Sequence, residues 1–282
     1  MLEDFLIGNY TDNHAKTGVT VVLCPLGAVG GVSVRGGAPA THETDLLRSE
    51  NTVEKVNAVV LSGGSAFGLE SISGVMAYLH ERGKGYDAGG FTVPICTGAS
   101  IYDLEYGSFG YPDKAAGYEA ALHAIPINDL CGRIGAGRGA TVAKLAGMAN
   151  AKPSGMAAIT AKKGELEMAV VTVVNALGNI YDPATGKVLL ASEGKAELTH
   201  ANTTISCVIT NAALTKAQAN KLADATQDAY ARCIRPVHTP FDGDSIFVLA
   251  SGKVDASLLD LQLFAEELCE KAILKAVGPW SD

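Results

Sequence analysis

His200-Ala-Asn-Thr-Thr-Ile-Ser-Cys-Val-Ile-Thr-Asn211 is the stretch around which the rest of the chain is best read. Residues 205–209 are apolar and rich in β-branched side chains, the composition of a buried strand. Asn202, Thr203 and Thr204 stand at its mouth, an unusual way to begin a core strand. A backbone break between Asn202 and Thr203 gives them a purpose. Thr203 then carries a hydroxyl nucleophile and a free α-amine, a pairing used in covalent catalysis. An α-amine titrates at about 7.7–8.0, so it can act as a base near neutral pH without a histidine. The same residues also suit a cap, a turn or an exposed strand start, and this segment alone does not separate the readings.

Downstream, residues 214–233 predict a helix with Thr215 as N-cap, followed by a turn-rich loop at 237–244 and a strand at 245–249. Residues 258–276 predict a closing amphipathic helix with Leu259, Leu263, Phe264, Cys269 and Ile273 as its apolar stripe. Upstream, residues 192–201 read as a polar linker able to hold a cleavable junction. Asp182-Pro-Ala-Thr-Gly186 is a turn, and residues 156–160 and 167–174 form a strand pair whose second member ends at Asn175. Glycine-rich residues 132–141 do not match a dinucleotide fingerprint, and Lys144 lies just after them.

Nearer the N-terminus, a helix is predicted over 114–124 and a strand over 93–102, ending at Tyr102-Asp103. The strand 56–61 runs into Ser62-Gly-Gly-Ser-Ala-Phe-Gly68 and a helix over 69–82. A strand, a glycine turn and a helix start together favour an anion, because free N–H groups point into the turn. Close helix–strand packing explains the same small residues equally well, and no Lys-Ser/Thr follows to make a P-loop. Residues 8–14 read as a polar turn, 18–24 as a strand ended by Pro25, 27–34 as its hairpin partner, and 35–45 as a shaped loop. Strands and helices mix without strict alternation, so the class expected is α+β in packed layers.

A chain of 282 residues accommodates one large domain or two ordinary ones. A hydrophobic share of 48% against 18% charged is that of a well-packed globular protein, and with only 6% aromatics the core must be aliphatic. The net charge of −8, with no dense Lys/Arg cluster, argues against nucleic acid or an anionic membrane as partner. Six scattered cysteines without a C-x-x-C pair read as buried reduced thiols, and no metal-ligand spacing occurs, so no cofactor is expected. The acidic first residues and the lack of a long apolar run predict neither signal peptide nor membrane span, and a cytoplasmic enzyme is the expectation.

Several of these stretches, in order, resemble one family. They are Gly36-Gly-Ala-Pro with Glu43-Thr-Asp45, Ser62-Gly-Gly-Ser-Ala-Phe-Gly-Leu69, Gly135-Ala-Gly through Lys144, and Val173-Val-Asn-Ala. Asp182-Pro-Ala-Thr-Gly, Asn202-Thr-Thr-Ile and Arg235-Pro-Val-His-Thr-Pro-Phe-Asp-Gly-Asp244 complete the set. Together they are similar to the self-processing aminopeptidases and amidases of the DmpA type, peptidase family S58, over almost the whole chain. Asn-Thr at the junction and Asp-Gly-Asp downstream resemble more closely the branch that includes the nylon-oligomer endo-amidase.

The resemblance implies a four-layer α/β/β/α sandwich made as one chain, 1–282, that cuts itself at Asn202/Thr203 into an α piece, 1–202, and a β piece, 203–282. It implies that Thr203 is the nucleophile and Asn175 an oxyanion donor, with the Tyr102 hydroxyl facing the same intermediate. Lys144 is implied as a nearby cation, and Asp242 and Asp244 as the acidic pair orienting nucleophile and amine. Close like charges raise at least one carboxyl pKa, so one of the pair is expected to hold a proton. His238 is assigned to structure. The expected activity is hydrolysis of amide bonds in small peptides or amino-acid amides, by associated fragments forming a homotetramer. A nylon-type oligoamide endohydrolase, an acyltransferase similar to ornithine acetyltransferase, and an unprocessed binding protein are the alternatives.

Overall fold

The computed structural model describes residues 2–195 and 202–280. Most of the predicted linker, 192–201, therefore lies outside the described residues. The strands are β1 (Leu6–Asp12), β2 (Thr17–Val34), β3 (Lys55–Ser62), β4 (Cys96–Ser100), β5 (Met156–Lys163), β6 (Leu166–Asn175), β7 (Thr203–Ala212) and β8 (Ser245–Val254). The main helices are α1 (Ser71–His80), α2 (Lys114–Leu122), α3 (Lys216–Cys233) and α4 (Leu258–Ala276).

The largest sheet runs in the order Thr41–His42, β4, β3, β2, β8, β7, β6, β5, Leu130–Gly132, with β1 beside β2. Only β3/β4 and β7/β8 are parallel among these strands. β2 is the spine. Its first third pairs with β1 and β3, and its last third pairs with β8. The sheet thereby divides into two halves that face each other. Val22, Leu61, Ile101, Val173, Ile205 and Phe247 fill the space between them. The outer face of the first half, with Val19, Val21 and Val60, is covered by Ile72, Val75 and Leu79 of α1 and Ala116 and Ala120 of α2. The outer face of the second, with Val170, Val208 and Val248, packs on Leu222 and Tyr230 of α3 and Phe264, Leu268 and Ile273 of α4. The layers are α/β/β/α, as the resemblance implied.

Alternation along β7 decides the site. Odd-numbered residues, Ile205, Cys207 and Ile209, point between the sheets, and Val208 and Ala212 point to the helices. Thr203 is in phase with the inner set and lies at the inner layer's edge, 4% exposed. α3 starts at a capping box in which the Thr215 hydroxyl takes the Gln218 N–H and the Gln218 side chain takes the Thr215 N–H.

Three local expectations are corrected. Residues 8–14 are not a turn: most belong to β1, and the reversal follows, where Asp12 Oδ1 accepts the N–H groups of His14 and Ala15 at 2.8 and 2.9 Å. Residues 18–34 are not a hairpin but one 18-residue strand. Pro25 is tolerated because the register against β3 breaks between Leu23 and Ala28, where no ladder donor is needed, and Gly27 supplies φ +79°. On α4 the boundaries agree with expectation, but Leu259 and Leu263 are exposed and Leu261 and Leu268 take the inward positions. Five cysteines are buried, and Cys131 is exposed. Among the described residues no helix is long and apolar enough to cross a membrane.

Candidate active site

The Asn202–Thr203 bond is held from both sides by strand pairing. On one side, Thr203 is in register with Asn175, the last residue of β6. On the other, the parallel register of β7 with β8 begins at Ile205 opposite Ser245 and extends backward as a bridge between Asn202 and Asp242. The segment Asp242-Gly-Asp244 therefore runs alongside residues 202–204. The Asn202 N–H donates to the Phe241 carbonyl at 3.2 Å, and the Gly243 N–H donates to the Asn202 carbonyl at 2.8 Å. The Thr203 hydroxyl donates to that same carbonyl oxygen at 2.5 Å. One carbonyl thus carries two donors, one of them the hydroxyl of the next residue. A backbone N–H aimed at a carbonyl oxygen is the geometry that stabilises charge developing there during acyl transfer.

Gly243 must be small. A Cβ there would sit 2.7 Å from Thr203 Oγ1, closer than real contacts allow.

The acids that flank Gly243 take separate partners. Asp244 Oδ1 accepts the Thr204 N–H at 2.8 Å, and Oδ2 accepts the backbone N–H of His238 at 3.1 Å and stands 2.9 Å from its Nδ1. Asp242 Oδ2 accepts the backbone N–H and hydroxyl of Thr239 at 2.8 and 2.5 Å. Both carboxylates are buried. Burial, and next the nearby Asp244 charge, push the Asp242 carboxyl above its ordinary range.

Asn175 is the hub on the other side. Its Oδ1 accepts Lys144 Nζ at 2.9 Å and the Thr141 N–H at 3.0 Å, and its Nδ2 donates to the Tyr102 carbonyl at 2.9 Å. Lys144 Nζ also donates to the Asn175 backbone carbonyl at 3.1 Å. Full burial brings the Lys144 ammonium down to a pKa of about 7, opposed by the acids Asp242, Asp103 and Glu105. A lysine so placed changes charge near neutral pH.

The structure thus gathers Asn202, Thr203, Asn175, Lys144, Asp242 and Asp244 at one strand mouth. Tyr102 joins them through its carbonyl. Its hydroxyl donates to Glu105 at 3.0 Å, and partial burial, then Glu105, raise that phenol's pKa. In the continuous chain the Asn175 amide N–H likewise goes to Tyr102, and the Asn202 carbonyl is served by Gly243 instead. Gly243 and His238 were missed as site residues. The Asp-Gly-Asp motif contains the first, but its role depends on the β7/β8 register. His238, assigned to structure, touches Asp244 directly and stacks on buried Tyr230 with centroids 6.2 Å apart.

Solved structures share this architecture. A β-aminopeptidase of Burkholderia sp. superposes with TM-score 0.71 at 16% identity, over 96% of this chain and 83% of that one. The L-aminopeptidase D-Ala-esterase/amidase of Ochrobactrum anthropi, described as a variant of the Ntn-hydrolase fold, gives TM-score 0.71 at 15% identity, over 97% and 83%. The fold is therefore the one these two aminopeptidase structures share. The profile of peptidase family S58 matches residues 3–278. An uncharacterized aminopeptidase of Mycobacterium leprae is 42% identical over 267 residues, 85% of this chain and 72% of its own length. A 6-aminohexanoate-oligomer endohydrolase of Kocuria sp. is 32% identical over 270 residues, 88% of this chain and 73% of its own. The chain belongs to peptidase family S58 and is a hydrolase.

Proposed function

We propose that the chain cuts itself between Asn202 and Thr203 and that the freed Thr203 then hydrolyses amide bonds of small peptides or amino-acid amides. The observation that carries this reading is the Asn202 carbonyl, which takes both the Thr203 hydroxyl and the Gly243 N–H. In the first stage Thr203 Oγ attacks the Asn202 carbonyl carbon, the C–N bond breaks, and an ester replaces the amide while Thr203 gains a free amine. Water then hydrolyses the ester, leaving a carboxylate on Asn202. In the second stage Thr203 Oγ attacks the substrate carbonyl, and its own amine takes the hydroxyl proton and gives it to the leaving amine as the C–N bond breaks. Water then hydrolyses the acyl ester on Thr203, releasing the acid and restoring the hydroxyl. The Gly243 N–H serves the oxyanion, joined in the second stage by the other N–H of the Asn175 amide, whose first is held by the Tyr102 carbonyl; Lys144 supplies positive charge, and Asp244 and Asp242 fix the strand mouth.

Cleavage at this bond leaves the β7 ladder complete, because Thr203 is its first residue and both β6 and β8 remain paired to it. The fragments 1–202 and 203–282 accordingly stay together as one folded unit, and a homotetramer of such units is the assembly proposed. Similarity to 6-aminohexanoate-oligomer endohydrolases favours a second reading, in which the bond cut is internal to an oligoamide. The test is hydrolysis of amino-acid amides and of aminohexanoate oligomers, each with free and acetylated amino ends. Turnover of free amides alone supports the aminopeptidase reading, and turnover of capped oligomers the endohydrolase. Equal release by a Thr203→Ala variant refutes both.

A further inference from the structure

We propose that Asp103 is a positioning residue of this site: its carboxylate fills the glycine turn after β3, aligns the Tyr102 carbonyl that holds Asn175, and adds a buried negative charge to the site that contains Lys144. The proposal rests on the functional reading above and extends it to a residue that touches none of the reacting atoms.

The turn Ser62-Gly-Gly-Ser65 looked from its sequence like a cradle for an anion, and an internal anion occupies it. Asp103 Oδ1 accepts the Gly64 N–H at 2.7 Å, and Oδ2 accepts the Thr17 hydroxyl at 2.8 Å. The residue is 3% exposed. Three glycine-containing or strand-end segments close around it. A Cβ on Gly63 would lie 2.3 Å from Oδ2, and one on Gly139 would lie 2.6 Å from it. The small residues therefore do allow close packing, and what they pack against is a carboxylate. The two explanations left open by the sequence are one arrangement.

Asp103's own strand end and the Gly139 segment lead to site residues. Asp103 directly follows Tyr102, whose carbonyl receives Asn175 Nδ2 at 2.9 Å. Gly139 lies two residues before Thr141, whose N–H reaches Asn175 Oδ1, and five before Lys144. The turn is tied to the same strand end by Ile101, whose N–H donates to Ser62 and whose carbonyl accepts from Ser65, at 2.8 and 2.9 Å. Burying a carboxylate is costly even with these two donors, so a chain that needed only a tight turn here would do better with a neutral side chain. A negative charge at this depth has an electrostatic use. The groups acting on Lys144 are Asp242, Asp103 and Glu105, and Asp103 is in turn favoured as an anion by Lys144. Burial raises Asp103 to a pKa of about 6, so it is largely ionised at neutral pH while Lys144 titrates.

The experiment follows the self-cleavage rate of full-length protein against pH, by intact mass, for wild type, Asp103→Asn and Thr17→Val. This step precedes release of the Thr203 amine, so the amine's titration is absent from the profile. In Asp103→Asn the amide can keep the Gly64 bond while the charge is lost. The midpoint set by Lys144 then moves from near pH 7 to lower pH. Thr17→Val keeps the charge but removes a donor to it, raises the Asp103 pKa, and shifts the midpoint the same way by less. A purely structural role predicts slower cleavage with an unmoved midpoint, and that result in a folded Asp103→Asn overturns the proposal. If Asp103→Asn does not fold, Thr17→Val decides alone: a profile superimposable on wild type overturns it. A wild type that never splits removes the functional reading and this proposal together. A wild type that splits beside unmoved variants removes only the assignment of Asp103.

Discussion

Adding one methyl group at Gly243 tests the proposed cleavage geometry with little change elsewhere. In Gly243→Ala the new Cβ lies 2.7 Å from Thr203 Oγ1, 3.1 Å from the Ala38 carbonyl oxygen and 3.2 Å from Pro39 Cα. Ordinary contact lies at roughly 3.5 Å, so the hydroxyl or the loop must yield by the better part of an ångström. Gly243 is not among the positive-φ glycines, so alanine brings no backbone penalty. The strain falls on the two groups that meet at the Asn202 carbonyl. Loss of one well-placed oxyanion donor costs about 10²–10³ in rate, and a misplacement near 1 Å costs about 10². Self-cleavage of Gly243→Ala is therefore expected to slow by about 10²-fold, with thermal stability lowered by no more than ~1–2 kcal/mol. The assay is a time course of full-length and split chain by intact mass after rapid purification, with thermal unfolding in parallel. Cleavage at the wild-type rate in a folded variant would refute the argument, because neither the Gly243 donor nor the position of the Thr203 hydroxyl could then matter.

Lys144→Met should abolish or strongly slow cleavage yet stabilise the fold. Lys144 falls from 10.5 to about 7 on folding, so between those values the unfolded chain binds more protons and wild-type stability rises with pH. The gain in melting temperature for Lys144→Met is thus largest below pH 7 and shrinks by pH 9; a gain that grows with pH contradicts the assignment. His238→Leu removes a donor to buried Asp244 and should lower stability by ~1–3 kcal/mol and slow cleavage, and His238→Asn should recover most of both. Equal behaviour of the two variants would deny His238 its hold on Asp244. Thiol titration of the native protein should show Cys131 reacting fast. The other five are buried, and desolvation raises their thiol pKa values, as for Cys96 at about 12, so rapid reaction of several thiols would contradict the packing.

The layered fold was legible because its cues are local. The β-branched run in β7, the Thr215 cap and the length of α4 need no tertiary information. β1 and the continuous β2 were not, because Pro25 and the polar residues 8–14 carry turn signals that the β2 bulge and the β1–β2 pairing override. Within the site, the residue identities were readable from motif order, but directions were not. The Tyr102 hydroxyl turns to Glu105, and the Gly243 N–H reaches the Asn202 carbonyl only through the parallel β7/β8 register, which joins residues some forty positions apart. Asp103 was visible merely as the residue after Tyr102, since nothing in a linear reading places it against Gly64 and Thr17.

Intact-mass analysis of the purified protein beside Thr203→Ala tests the central claim most directly. Two fragments, 1–202 and 203–282, in the wild type and a single 29.0 kDa chain in the variant are the predicted result. One uncut chain in both after long incubation, or a variant that splits at the same bond, would contradict it.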